Sequence, residues 1–225
     1  GEESGLQQWI DAIVNTNSVD NWDIHAPPGI IEQLETGTIQ SYSEPYLTLN
    51  TTIRTHFGEM LHHWVDGVLG HVETPYDDLV QLYSQLKKSG FKIYFTDNLR
   101  KAKMYLWNRY EKSPDARYGM ICSSRDKSLA NYGMKTLSWP KTLNYGRWYN
   151  ESQKHADSCC ALDLAVTEFD SQGLELDCTL IGWGADFILQ NGNWNNDLAR
   201  NYAHTSDIKD AFTLRRNAYR VLLTR

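Results

Sequence analysis

Apolar residues recur at steps of three and four along several stretches of this chain, a spacing that predicts amphipathic helices with one buried face. The most regular stretch covers residues 53–69, and Gly70 follows it as a stop signal. The same spacing predicts helices over 6–14 with Ser4 as cap, from Thr74-Pro75 to Ser89-Gly90, over 98–106 with Asp97 or Asn98 as cap, and after a cap at Asp207.

Short apolar runs bounded by turn residues predict buried strands. They lie at 91–95, 118–122, 159–166 and 179–181, and Asn191-Gly192 predicts a β-hairpin over 187–194. The succession of strand, helix and strand over 91–122 is typical of a right-handed βαβ unit. The pattern therefore predicts an α/β fold with a mostly parallel central sheet flanked by helices.

Two segments interrupt this pattern. Residues 15–46 are rich in Asn, Asp, Pro, Gly and Ser, with Pro27-Pro28-Gly29 as a break, and they predict irregular structure with one short helical turn at Ile30, Ile31 and Leu34. Residues 127–158 are rich in Tyr and Trp. Those aromatics either stack on nucleic-acid bases or pack within a large loop, and the second interpretation is the simpler one.

The composition narrows the functional classes. A chain of 225 residues and 25.9 kDa with 41% hydrophobic residues fits one large domain with a real core. The net charge of −6 predicts that the chain alone binds nucleic acid poorly, because compact nucleic-acid binders usually present a basic surface. No run of 18 apolar residues exists, so we expect no membrane partner.

The cysteines and histidines predict no metal site. The four cysteines form no C-x-x-C pair, which favours buried, reduced thiols in a cytoplasmic protein. The histidines between His56 and His71 lack the H-E-x-x-H spacing.

The polar turn after residues 159–166 carries the most specific sequence motif in the chain. Pattern alone makes it a surface turn or a ligand loop at the end of a sheet, with neither favoured. Its sequence, Thr-Glu-Phe-Asp-Ser-Gln-Gly-Leu-Glu-Leu-Asp over 167–177, resembles motif V of superfamily 1 helicases as it occurs in the Schlafen-related helicase-domain family. Residues 215–225 resemble motif VI, and residues 47–55 resemble the motif IV region.

The resemblance covers roughly residues 45–225 and implies the RecA-like three-layer fold of a second helicase lobe. Residues 1–45 would then be a connector from the first lobe, and residues 46–225 the lobe itself. Arg225 matches the motif VI arginine and Arg54 the motif IV arginine, both of which approach the γ-phosphate in that superfamily. Without the resemblance, a solvated or salt-bridged arginine is the favoured interpretation of Arg54.

Motif V adds further expected contacts. Gly173 would let the backbone approach the nucleotide, and Glu175 matches the acid that contacts its ribose, although a solvated carboxylate explains Glu175 as well. Gln172 and Thr167 would couple the nucleotide state to the nucleic-acid strand.

Ser123, Ser124 and Arg125 follow the strand predicted at 118–122. Side chains of these types at a strand end can contact a nucleic-acid phosphate. A turn with a capped helix accounts for the same residues equally well.

The chain lacks the sequence motifs that bind ATP and magnesium in an ATPase. It contains no G-x-x-x-x-G-K-[ST] loop and no apolar strand that ends in Asp-Glu for magnesium. We therefore expect that ATP and Mg²⁺ are cofactors of a full-length protein whose first RecA-like lobe binds them, that the partner is single-stranded DNA or RNA, and that this chain alone is inactive.

The chain has no initiator Met and stops on Arg225, so we expect it to be a fragment of a longer protein. The alternative function is a catalytically inert RecA-like module that binds a partner or regulates it. An unrelated α/β enzyme is a third interpretation, and no nucleophile with its base supports it.

Overall fold

The computed structural model describes residues 5–16, 22–32, 40–48, 58–70, 72–136, 143–200, 208 and 210–225. These residues belong to two compact units, 1–58 and 59–225.

The first unit contains a helix, a parallel strand pair and two short helical turns. Helix α1 is Gly5–Val14, which confirms the helix predicted there. Strand β1 (Asp23–Ala26) pairs in parallel with β2 (Gln40–Ser43), and α2 (Pro28–Ile31) follows β1. The prediction of purely irregular structure here is wrong, because each strand has only four residues, too few to show a period. The helical turn at Ile30 and Ile31 is confirmed, whereas Leu34 lies outside the described residues.

The second unit carries four helices that the periodic pattern predicts and one short helix that it does not. The predicted helices are α3 Gly58–Val68, α4 Tyr76–Lys88, α5 Leu99–Tyr110 and α7 Ala211–Leu223, and the short one is α6 Tyr145–Asn150. The predicted start of α3 at residues 53–57 lies outside the described part of the chain.

Side-chain caps fix where two of these helices begin. Asn98 caps α5 by accepting a hydrogen bond from the Lys101 amide at 3.0 Å. Asp210 caps α7 through the Thr213 amide at 2.8 Å, so the predicted cap at Asp207, which lies outside the described residues, is replaced by one three residues later.

Four parallel strands form the central sheet in the order β4-β5-β3-β6. They are β3 Tyr118–Cys122, β4 Lys135–Thr136, β5 Leu164–Thr167 and β6 Cys178–Gly182. Met120 of the fully buried β3 is in register with Ala165 on one side and Leu180 on the other. The predicted α/β class with a parallel sheet flanked by helices is confirmed, and it is consistent with a RecA-like fold.

The strand predicted at residues 91–95 does not form. This segment is irregular and leads into α5, and Phe95 is 87% exposed. Because β5 and β6 occupy both edges of β3, no place beside β3 remains for it. The predicted βαβ unit over 91–122 is therefore wrong, although the parallel sheet that it implied is present.

The aromatic segment 127–158 is more ordered than a loop. It contributes a 3-10 turn (Leu129–Tyr132), β4 and α6, and Trp148 of α6 is buried. This confirms packing as the role of that tryptophan. Trp139-Pro140 lies outside the described residues.

The predicted hairpin is confirmed as β7 (Ile188–Gln190) and β8 (Asn193–Asn195). Asn191 and Gly192 both have positive φ, as a two-residue hairpin turn of this kind requires.

All four cysteines are free, and burial raises the pKa of the Cys122 thiol to about 12. Among the helices of the described residues, none is both long and apolar enough to cross a membrane.

Candidate functional site

Polar side chains converge at one edge of the sheet, where three parallel strands end. Ser123 and Ser124 follow β3, Glu168 follows β5, and Asp186 follows β6 after a short loop. Because the strands are parallel, their carboxyl ends meet at the same edge, which is where α/β proteins place ligands. Helix α7 supplies Arg215 and Tyr219 to the same cluster.

Glu168 is the centre of this cluster and is 2% exposed. Its carboxylate accepts hydrogen bonds from the Ser124 amide at 2.7 Å and the Ser124 hydroxyl at 2.8 Å. Arg215 Nη2 donates to the same carboxylate at 2.7 Å, and both side chains of this ion pair are almost fully buried. Three charge-assisted bonds satisfy a charge that would be costly to bury alone.

Asp186 joins the cluster from the other side and is completely buried. Tyr219 donates its hydroxyl to Asp186 at 2.5 Å, Ser123 donates a second hydrogen bond, and Arg215 Nη1 lies 3.4 Å from the carboxylate. Burial raises the pKa of Asp186, and burial together with the nearby Asp186 charge raises that of Tyr219. We call Glu168, Asp186, Arg215, Tyr219, Ser123 and Ser124 the strand-end network.

A third buried carboxylate, Asp126, closes the loop after β3. It accepts from the amides of Ser128 and Leu129 at 2.7 Å each and from the Ala185 amide at 2.8 Å. The last of these bonds joins the loop after β3 to the loop after β6. Such contact requires the two backbones to come close, and Gly184 provides the room.

A Gly184→Ala variant is expected to destabilise the fold by about 1–3 kcal/mol, the usual effect of overpacking. A Cβ at this position would stand 1.8 Å from Asp126 Oδ2, so either the loop or the carboxylate must move. Urea denaturation would measure the loss. Gly29→Ala is the control, because a Cβ there meets nothing within 4 Å, and equal stability of both variants would contradict the expectation.

An aromatic stack supports the network beneath α7. Phe187 and Trp194 stack with ring centroids 4.7 Å apart, and the ring centroid of Trp183 lies 4.4 Å from that of Tyr219. Trp194 also donates its indole N–H to the Val68 carbonyl of α3 at 2.9 Å. The hydroxyl of Tyr219 is therefore presented to Asp186 by a ring held on several sides.

The turn that begins at the end of β5 is folded by its own polar side chains. Asp170 accepts from the Thr167 hydroxyl and from the Tyr145 hydroxyl, both at 2.7 Å. Beyond it the chain reaches the surface at Gln172, and Gly173 has a φ of +83° with no atom within 4 Å of the position of a Cβ. The backbone at Gly173 is therefore open to an approaching ligand.

The structure brings some of the candidate residues together. Thr167 is in register with Cys122, so it lies beside Ser123 and Ser124 at the ends of neighbouring strands. Gln172, Gly173 and Glu175 follow in the next turn, with Gln172 and Glu175 exposed.

The two candidate arginines and Arg125 are placed differently. Arg225 is half-buried directly after α7. Arg125 is half-buried, and its backbone N–H donates to the Ser123 hydroxyl at 3.1 Å. Arg54 lies outside the described residues.

The sequence assigned no role to four network residues: Glu168, Asp186, Arg215 and Tyr219. A signal for Arg215 was present, because it lies four residues after Ala211 and three before Ala218 on the inward face of α7. A cation on an apolar stripe predicts a buried anionic partner. Glu168 belongs to the motif V stretch itself, whereas nothing in the local sequence marks Asp186.

The strand-end network does not fit a magnesium ion. Its carboxylate oxygens already accept from Arg215, Ser123, Ser124 and Tyr219. Within the described ranges, no three His, Cys, Asp or Glu side chains are grouped as metal ligands. The turn at Gly173 and Glu175 does suit a nucleotide, because it offers open backbone and an exposed carboxylate.

Comparison with known proteins gives one match. The family model described as Schlafen group 3, DNA/RNA helicase domain matches residues 7–225. Neither the curated proteins nor the solved structures gave a significant match to this chain.

Proposed function

The chain belongs to the Schlafen group 3 DNA/RNA helicase domain family, and on that premise we propose that it is the second RecA-like motor lobe of an ATP-dependent helicase or translocase. Residues 46–225 would form this lobe and residues 1–45 the connector from the first lobe. The complete protein would act in the cytoplasm on single-stranded DNA or RNA.

The observation that carries the proposal is the buried bond between Arg215 and Glu168. Glu168 opens the turn that leads to Gly173 and Glu175, and Arg215 belongs to the helix that leads to Arg225. A displacement of the turn therefore pulls on α7 through a bond that is shielded from solvent. A motor lobe needs such a link, because nucleotide state and strand contact must change together.

The nucleotide contacts are assigned to the exposed turn and the two arginines. Gly173 would admit a nucleotide against its backbone, Glu175 would accept from the ribose, and Gln172 would respond to the nucleotide state. Arg225 and Arg54 would approach the γ-phosphate, where a guanidinium offsets the charge that develops during transfer.

The strand contacts are assigned to the neighbouring strand ends. Thr167, Ser124 and Arg125 are the residues assigned to phosphate contact. Arg125 supplies the cation among them, because the Thr167 hydroxyl donates to Asp170 and the amide and hydroxyl of Ser124 donate to Glu168. The Ser123 hydroxyl already donates to buried Asp186, which favours a positioning role for that side chain. Bound ATP, accompanied by Mg²⁺, would supply the transferable phosphoryl group. The first lobe of the same protein would hold both.

The second candidate is a catalytically inert RecA-like module that docks a partner. It is favoured by the absence of a G-x-x-x-x-G-K-[ST] loop from this chain. A Walker loop elsewhere in the full-length protein would favour the motor.

The test is ATP turnover by the full-length protein with and without single-stranded DNA and RNA. We expect stimulation by at least one of them, and an Arg54→Ala variant is expected to lose about 100-fold, the usual effect of removing one charge-stabilising donor. Arg147→Ala is the matched control, because Arg147 forms surface ion pairs with Glu151 and Asp157. No turnover with any nucleic acid would favour the inert module.

A further inference from the structure

One segment of this acidic chain is strongly basic. Residues 87–112 contain eight lysines and arginines and two acidic residues, a formal charge of +6 in a chain of net charge −6. Seven of the eight are exposed and Lys103 is half-buried. The overall charge therefore hides a local surface that attracts anions.

The same segment exposes aromatic rings, which solvated faces of helices rarely do. Tyr94 is 64% exposed and Phe95 87% exposed, although both lie in an apolar run of the sequence. On α5, Tyr105 and Trp107 are about 40% exposed. Rings left in water beside cations are typical of surfaces on which another flat group stacks.

The rings and the cations form a continuous strip. Lys101, Tyr105 and Arg109 are spaced by four residues and so lie along one face of α5. Arg109 donates to the Tyr105 hydroxyl at 2.9 Å, and the Tyr94 ring lies 5.1 Å from the Tyr105 ring. Lys92 is exposed like Tyr94, whereas Phe91 and Ile93, on either side of Lys92, are half-buried. We call Lys92, Tyr94, Lys101, Tyr105 and Arg109 the basic–aromatic strip.

We propose that the basic–aromatic strip binds single-stranded nucleic acid, with bases stacked on Tyr94 and Tyr105 and phosphates facing Lys92, Lys101 and Arg109. Single strands present both an anionic backbone and free base faces, which is the chemistry that alternating cations and rings recognise. A duplex keeps its bases stacked and offers only phosphates, so it would leave the rings unused.

The strip is separate from the contacts of the motor site. None of its residues belongs to the strand-end network or to the turn at 167–177. The start of α5 lies near the loop that follows β3, since a Leu99 side-chain atom lies 4.0 Å from the Cβ position of Gly133, just past the 3-10 turn in that loop. A strand on the strip could therefore continue to the proposed phosphate contacts, and its binding requires no nucleotide.

The test is fluorescence anisotropy of the full chain with labelled oligothymidylate and oligouridylate of about 20 nucleotides, longer than one ~4–16-nucleotide site. Combined Tyr94→Ala and Tyr105→Ala changes are expected to weaken binding about tenfold or more, given the usual effect of losing stacked rings. Lys92→Gln with Lys101→Gln is expected to flatten the slope of log affinity against log salt by about 1.4, or roughly 0.7 for each lost phosphate contact.

Two controls keep the result specific. Tyr76→Ala removes a ring that is more exposed than Tyr94 or Tyr105 but lies beside Asp77 and Asp78, outside the basic segment, and it should leave binding unchanged. Arg147→Ala, which removes a surface cation paired with Glu151 and Asp157, should also leave binding unchanged. These measurements contain no ATP, so their outcome does not depend on the motor assignment. If the alanine pair fails to fold, the paired Tyr→Leu variants, which keep apolar bulk but lose the ring, carry the same expectation.

Photo-cross-linking of a bromouridine-substituted strand adds a measurement on the unaltered chain, with cross-links expected at Tyr94 or Tyr105. The proposal is overturned if the wild-type chain binds neither oligonucleotide at low salt. It is also overturned if the affinity for the oligonucleotides is unchanged after loss of both rings. A surface that binds only an acidic protein would give the first of these results. Duplex bound as tightly as single strands would also reject base stacking.

Discussion

An Arg215→Met variant is expected to lose about 3–5 kcal/mol of unfolding free energy, the usual result of removing one partner from a buried ion pair. Methionine replaces the apolar stem but not the guanidinium, which is nearly inaccessible to solvent and bonded to Glu168. Glu168 would then keep only its Ser124 donors, and Asp186 would lose the cation 3.4 Å away. Urea denaturation followed by far-UV circular dichroism measures the loss.

The same helix supplies a matched control. Arg220 pairs with Asp66, but its side chain is 41% exposed, so Arg220→Met should cost about 1 kcal/mol or less. Adding Glu168→Gln to Arg215→Met should recover part of the loss, because the uncompensated carboxylate is then removed. A loss below about 1 kcal/mol in Arg215→Met would show that the network is not a stabilising link.

The sequence predicted the helices well because their signal is local. The apolar stripe of α7 and the spacing of α4 are complete within each segment, so no distant contact is needed to identify them. Strand pairing is not local. The runs that became β5 and β6 were predicted as strands on either side of the motif V turn, but nothing in them showed that β3 lies between them. Residues 91–95 had the composition of a strand, but both edges of β3, the strand of their predicted βαβ unit, are occupied by β5 and β6.

The candidate site divides in the same way. The sequence identified Ser123 and Ser124 by their position after a predicted strand, and Thr167 by the resemblance to motif V. The structure places all three side by side. The strand-end network was missed because its hydrogen bonds join positions 33 to 63 residues apart. Asp186 in particular can be recognised only from its contacts. It lies four residues after a strand and accepts a hydrogen bond from Tyr219, on a helix distant in sequence.

An Arg225→Ala variant of the full-length protein is expected to turn over ATP about 10³–10⁵ times more slowly, the range found when a transition-state arginine is removed. Helix α7 ends in a way that fixes the position of this residue. The Thr224 amide and hydroxyl bond back to Val221 and Arg220, which closes the last turn directly before Arg225. The network holds the middle of the helix through Arg215 and Tyr219, so Arg225 follows a supported element.

Binding and chemistry can be separated in this variant. Because the guanidinium acts on charge that develops during transfer, nucleotide affinity should change far less than turnover. Arg225→Lys keeps the charge but not the planar, two-pronged donor, and it should recover only a small part of the rate. Arg220→Ala, one turn earlier on the same helix, should stay close to the wild type.

Each departure from this pattern has a distinct meaning. Equal loss of affinity and turnover in Arg225→Ala would make the residue a binding group and not a catalytic one. Turnover that is unchanged, in a full-length protein that hydrolyses ATP, would reject the motif VI assignment. It would leave the bond between Arg215 and Glu168 as a structural link in a lobe whose catalytic arginine lies elsewhere.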